Sequence, residues 1–167
     1  MRRSITVLCI LFAMLCGCKG GAEPQKSTVH GEQKPVIQAD KEDPGMVGVI
    51  KRKVFDENKS KSVGKAMDEY QYFTSREWKE TAAQNGTIYV DFIGGLDQKV
   101  ISAASRQEGV IARTVNVKFV VKMDGTCFVG VITKYDTKTD GKVYPLPVTD
   151  VAGVMNAIYA NKELPQL

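Results

Sequence analysis

The stretch that decides the fold is Val115–Tyr135, V-N-V-K-F-V-V-K-M-D-G-T-C-F-V-G-V-I-T-K-Y. Two strand-like runs, Val115 to Met123 and Thr126 to Tyr135, flank Asp124-Gly125, a pair that accepts the positive φ angles of a two-residue type I′ turn. With those two residues as the loop, Met123 faces Thr126, Val121 faces Phe128, Phe119 faces Gly130 and Val117 faces Ile132, all on one side of a sheet. That side is apolar, and the missing side chain of Gly130 leaves room for the Phe119 ring. The other side carries Asn116, Lys118, Lys122, Cys127 and Thr133 among Val120, Val129 and Val131, which makes it the wetter one. The hairpin therefore asks for a cover on one face.

Upstream, Thr87 to Ile93 alternates, with Ile88, Val90 and Phe92 on one side, as a half-buried strand ending at Gly94-Gly95 does. Before it, Val63, Ala66, Met67 and Tyr70 recur at helical spacing behind Ser62, an N-cap residue, and Phe73 closes this helix. Thr74-Ser75 caps a short second helical piece carrying Trp78, which Asn85-Gly86 breaks. Met46 to Ile50 reads as a short strand or an extended lead-in, and Leu96 to Gly109 as a helical or looped connection.

Downstream, Asp140-Gly141 marks a second turn, and Pro145 and Pro147 forbid a central strand. Thr149 or Asp150 then caps a closing helix of Val151, Val154, Met155, Ile158 and Tyr159. The order helix, strand, hairpin, helix predicts an α+β fold: a small antiparallel sheet with helices packed on one face, in a single domain spanning residues 46–167.

A chain of 167 residues, 43% hydrophobic and 25% charged, has room for one such domain and a short appendage, and neither wholesale disorder nor a polytopic membrane protein fits. The formal charge of +4 includes Arg2 and Arg3, which lie in a removable segment, so net basicity points to no partner. His30 is the single histidine and sits in a linker, where no core fixes its tautomer; this removes Ser-His-Asp, Cys-His and His-ligated zinc chemistry together. No phosphate loop, HExxH, GxSxG or CxxC spacing survives outside the leader. The sequence thus predicts no catalytic constellation, no metal site and no cofactor.

Met1-Arg2-Arg3 gives a positive start, Ile5 to Leu15 is apolar apart from Thr6, and small or polar residues follow from Gly17. This is the order of a signal peptide, over residues 1–17, and the apolar run is far short of the roughly 20 residues a spanning helix needs. At its end, Leu15-Cys16-Gly17-Cys18 resembles the lipobox of bacterial lipoproteins, with Cys16 standing where Ser, Ala or Thr is commoner. The resemblance implies a diacylglycerol thioether on Cys18 and, after cleavage, an acylated amino terminus such as palmitate. Two or more chains hold a protein on a membrane where one binds marginally. Lys19, not Asp, follows the anchor, which for enteric-type bacteria implies the outer membrane, facing the periplasm. Residues 18–45 are rich in Gly, Pro, Gln, Lys and Glu and read as a tether with a root-mean-square reach of roughly 30 Å.

Within the domain, Ser62-Val63-Gly64, Ala66-Met67-Asp68, Tyr70, Phe73, Trp78, Val90-Asp91-Phe92, Gly94 and Ala157-Ile158-Tyr159 form an ordered set over roughly residues 54 to 160. In this it resembles a family of bacterial lipoproteins without assigned activity, from which it departs at Asp91, where the family usually has Glu. The resemblance implies the fold and an envelope location, not a chemistry.

Three features remain as candidate sites. Cys127, the lone domain thiol, is expected on the wetter sheet face across from Lys122, whose charge would favour the thiolate; a small strand residue that happens to be Cys is the competing reading. Tyr72 and Trp78 are read as an aromatic patch for a protein partner, against packing at the core's edge. Lys51, Arg52, Lys53, Lys59, Lys61 and Lys65 form a basic run beside the tether, which would touch anionic headgroups or serve as solvated surface. Asp68 and Glu69 read as a solvated helix face, because adjacent helical positions do not converge. Nucleic acid is excluded as a partner by compartment and by motif. Two functions follow as expectations: a lipid-anchored envelope module that binds or scaffolds a protein partner, or a small thiol-dependent enzyme or redox protein using Cys127.

Overall fold

The computed structural model describes Asp43 and residues 45–165. The leader, Cys18, His30 and the tether up to residue 42 lie outside the described residues. Gly45–Arg52 forms α1, where the sequence suggested a strand or lead-in; it buries Ile50 and tucks Gly48 against the backbone of Asp43. A turn over residues 56–58 leads to α2, Val63–Asp68, and here the sequence reading holds. The Ser62 hydroxyl accepts from Lys65 N at 3.4 Å, and Val63, Ala66, Met67 and Tyr70 are all buried. The helix ends before Tyr70, whose hydroxyl donates to Lys162 O at 2.8 Å.

Next comes β1, Phe73–Ala82, in place of the expected second helical piece around Trp78. It pairs antiparallel with β2, Ile88–Leu96, from Phe73 opposite Leu96 to Ala82 opposite Ile88, with an irregularity at Thr74. Only Phe73 is buried along β1 and Trp78 is half-buried, so its exposed polar residues hide the alternation that marks a strand, and pairing overrides their local preference. Gly94 lies inside β2 because a Cβ there would meet the Phe73 ring at 2.6 Å. A short turn and α3, Ala103–Gln107, occupy the connection to β3, Val110–Val121, and β3 pairs with β4, Cys127–Lys138. The second turn, at Asp140-Gly141, leads into β5, Val143–Pro147, and α4, Val151–Tyr159, closes the chain behind the Asp150 cap.

The strands lie in the order β1-β2-β3-β4-β5, every neighbouring pair antiparallel. Pro145 and Pro147 sit on an edge strand, as their missing N–H groups require. Val90, Phe92, Val115, Val117, Phe119 and Ile132 meet Ile50, Met67, Val154 and Ile158 in one core on one face of the sheet. The architecture is α+β, an open antiparallel sheet with its helices on one side. An unbroken chain of ring contacts, Tyr72, Tyr70, Phe73, Phe92, Trp78, Phe119, Phe55, runs through this core.

The hairpin register differs from expectation close to the turn. Lys122 O accepts from Gly125 N at 3.0 Å, and Lys122 N donates to Thr126 O at 2.9 Å, so the loop is Met123-Asp124-Gly125, with Gly125 at φ 80°. A three-residue loop whose last residue is left-handed is the other common hairpin connection. Val121 consequently faces Cys127, Val120 faces Phe128 and Phe119 faces Val129. A bulge at Gly130 takes up the extra residue, and from Val117 opposite Ile132 outward the expected register returns. Gly130 makes no room for Phe119; a Cβ there would meet Val120 Cγ2 at 2.6 Å.

Candidate functional site

The one-residue shift exchanges the faces of three side chains, Cys127, Phe128 and Val129. Cys127 turns to the helix side opposite Val121, and Phe128 turns to the open side, 40% exposed. The expected Cys127–Lys122 juxtaposition is thereby corrected, for Lys122 Nζ lies over the Phe128 ring, 5.4 Å from its centroid. Cys127 instead opens on a groove of about 650 Å³. Val54, Phe55 and Glu57 form one wall of it, Phe128 and Val129 a second, and Val151 and Met155 on α4 a third.

Tyr72 and Trp78 do not form an exposed patch. Tyr72 packs on Tyr70, with ring centroids 5.2 Å apart, and Trp78 packs edge-on to Phe92 at 4.9 Å beneath the Lys51 ammonium. Both are half-buried members of the core's rim. The basic run is likewise not an open patch: Lys51 pairs with Asp43 and Asp68, Lys59 with Asp56, and both Lys61 and Lys65 with Glu69. The carboxylates interleaved with these lysines were visible in the sequence, and they cancel most of its field.

A second cleft, of about 670 Å³, lies between α3 and residues 163–165. At its base Arg113 makes a buried two-pronged pair with Asp136, with Nη2 at 2.8 Å from Oδ2, and a longer bond to Ser105 Oγ at 3.3 Å. The pair ties β3 to β4. Burial, with Arg113 adding repulsion, holds nearby Lys134 below the usual lysine range.

Among the described residues, the face of the sheet opposite the helices has no core packed on it. Register places Lys79, Asp91, Lys118 and Val131 in one row across β1 to β4, and Thr81, Tyr89, Val120 and Phe128 in the next. Glu77, Ile93, Asn116, Thr133 and Pro147 form a third row. Lys118 Nζ sits 2.7 and 2.8 Å from the two oxygens of Asp91 and 5.2 Å from the centre of the Tyr89 ring. Asp91 is thus a positioned ion-pair acceptor, 8% exposed although it lies on the open face. In the neighbouring row Asn116 Oδ1 is buried and has no hydrogen-bond partner among the described residues. Phe128, Val131 and Ile93 add apolar surface beside these polar groups, the mixture found in protein-binding surfaces. Sequence reading had this face as the wetter one but gave it Cys127 in place of Phe128.

Comparison of the chain with models of known protein families, with curated proteins and with solved structures finds no match. Among the described residues, no helix is long and apolar enough to cross a membrane.

Proposed function

We propose that the chain is a lipoprotein of the bacterial envelope, held by acyl chains on Cys18 and carrying a domain that binds or scaffolds a protein partner through the open face of its sheet. The anchor rests on Met1-Arg2-Arg3, the apolar run to Leu15 and Leu15-Cys16-Gly17-Cys18. The observation that carries the binding role is the Asp91–Lys118 pair set on the open face, with Phe128 and Val131 exposed around it. The domain contributes surface and the tether contributes reach.

Photo-crosslinking in cells tests this reading, with the probe placed at Phe128 or Val131 on the open face and at Glu69 on the helix side. The expected result is one envelope protein captured from positions 128 and 131 and not from 69. Capture from 69 alone, or from none of the three in membranes that contain the anchored chain, contradicts it. A thiol-dependent reaction is the second reading, supported by Cys127 opening on the groove beside Met155. A Cys127→Ser strain indistinguishable from wild type removes that support.

A further inference from the structure

The sheet has two edges, and they are treated differently. On β5, Val148 N donates to Ile132 O at 2.9 Å, and the alternation of an antiparallel ladder then turns the main-chain groups of Tyr144 and Leu146 toward β4. Pro145 and Pro147 take outward-facing positions and have no N–H to offer, so this edge is closed to a further strand. On β1, Ala83 N donates to Thr87 O at 2.8 Å, which turns Thr81, Lys79 and Glu77 toward β2. Arg76, Trp78, Glu80 and Ala82 therefore present their N–H and C=O groups outward. β1 contains no proline, and among the described residues no strand pairs with its outer edge.

The sequence along this edge is Ser75-Arg76-Glu77-Trp78-Lys79-Glu80-Thr81, and its charges mirror about Trp78. We propose that two copies of the chain associate edge to edge through β1, antiparallel about a two-fold axis at Trp78, to make one continuous sheet. In that register Trp78 exchanges both main-chain hydrogen bonds with its counterpart, Arg76 stands opposite Glu80, Glu77 opposite Lys79 and Ser75 opposite Thr81. The neighbouring registers that keep the outward groups in phase fail on charge. Centring on Glu77 sets the two Glu77 carboxylates face to face, centring on Lys79 does the same with two ammonium groups, and centring on Arg76 or Glu80 leaves Glu77 and Lys79 without opposite charges across the axis. Like charges directly opposite destabilise a strand pair and opposite charges stabilise it.

The pair that decides the register is Glu77 with Lys79, on the open face. Each is more than half exposed, and within one copy they bridge each other at 3.0 Å, so docking trades two intrastrand bridges, one per copy, for two cross-strand ones. Arg76 and Glu80 are already engaged on the helix side: Arg76 Nη2 donates to Tyr70 O at 2.7 Å and Glu80 Oε2 accepts from Met46 N at 2.7 Å. They complement each other in sign without being free to move. The interface is isologous and closes on itself, so it stops at two copies.

Sedimentation equilibrium of the full-length chain in detergent tests the proposal, using Glu77→Lys, Lys79→Glu and their mixture. Wild type is expected to be dimeric. Each single variant puts like charges opposite each other twice and is expected to raise the dissociation constant on the order of tenfold or more. Mixed in equal amounts, the two variants restore opposite charges in both pairs, and a heterodimer near wild-type affinity is expected, as it is for the double variant with itself. The chain's single tryptophan lies at the axis, so its emission is expected to follow the same transitions. A monomeric wild type, a dimer that both variants leave unchanged, or a mixture no tighter than its components overturns the proposal. Because residues 77 and 79 are exposed, unchanged circular dichroism is expected for all forms; were one variant unfolded, the other and the double variant still decide.

Discussion

Two buried tyrosines show how much one hydrogen bond decides. Tyr70 Oη reaches Lys162 O, while Tyr159 Oη, on α4, is buried with no partner among the described residues. Tyr159→Phe is therefore expected to stabilise the domain by about 1 kcal/mol, read as a rise of a few degrees in the thermal midpoint, whereas Tyr70→Phe costs about the same amount. Burial, and next the Glu57 carboxylate, pushes the Tyr159 hydroxyl up to about 12. A raised value means that the fold favours the protonated form, so this contribution is complete below pH 10 and is lost as pH climbs from 10 toward 12. The advantage of Tyr159→Phe is expected to widen across that window in thermal melts; an advantage that narrows there contradicts the assignment. Lys134 titrates in the opposite sense. Its depressed value means the folded state carries a desolvated cation at neutral pH, a cost relieved as pH rises through the folded value toward the usual lysine range. Lys134→Met is expected to raise the thermal midpoint at pH 7 and to lose that gain progressively in alkaline buffer.

At the scale of elements, what the sequence disclosed and what it concealed have physical causes. The helices capped by Ser62 and Asp150 were legible because a cap and an apolar stripe agree, and the buried stripe residues are the expected ones. β2 and the far half of the hairpin were legible because alternation survives there. β1 was not, since an edge strand whose one core partner besides Phe73 is Trp78 carries no periodicity; its strand character comes from pairing with β2. The near half of the hairpin was misread because Asp-Gly serves a two-residue loop and a three-residue loop equally well. That single ambiguity moved Cys127 off the open face and put Phe128 on it, which is why the sequence shows this face as the wetter one but not its key aromatic. The Arg113–Asp136 pair, whose side chains are 4% and 7% exposed, ties β3 to β4. Asp136→Ala leaves a buried guanidinium without its carboxylate, and a loss of about 3–5 kcal/mol is expected in urea unfolding. A loss below about 1 kcal/mol would mean that solvent already compensates Arg113.

For the molecule as a whole, the proposed functions divide between parts: acyl chains hold, a tether spaces, and a one-sided sheet binds. The interleaved ion pairs around α1 and α2 leave the body little charge with which to grip a membrane, and surface pairs of this kind add little to stability either. In the proposed arrangement the acyl chains on Cys18 hold the protein on the membrane, and Cys18→Ser is expected to release the chain into the soluble fraction whether or not the bilayer is anionic. The most direct measurement is the intact mass of the native chain extracted from membranes of the organism that makes it. A polypeptide starting at Cys18 and heavier by a diacylglyceryl group and a fatty acyl group is the expected result. A product of bare polypeptide mass that still begins at Met1 would contradict it and take the envelope role with it.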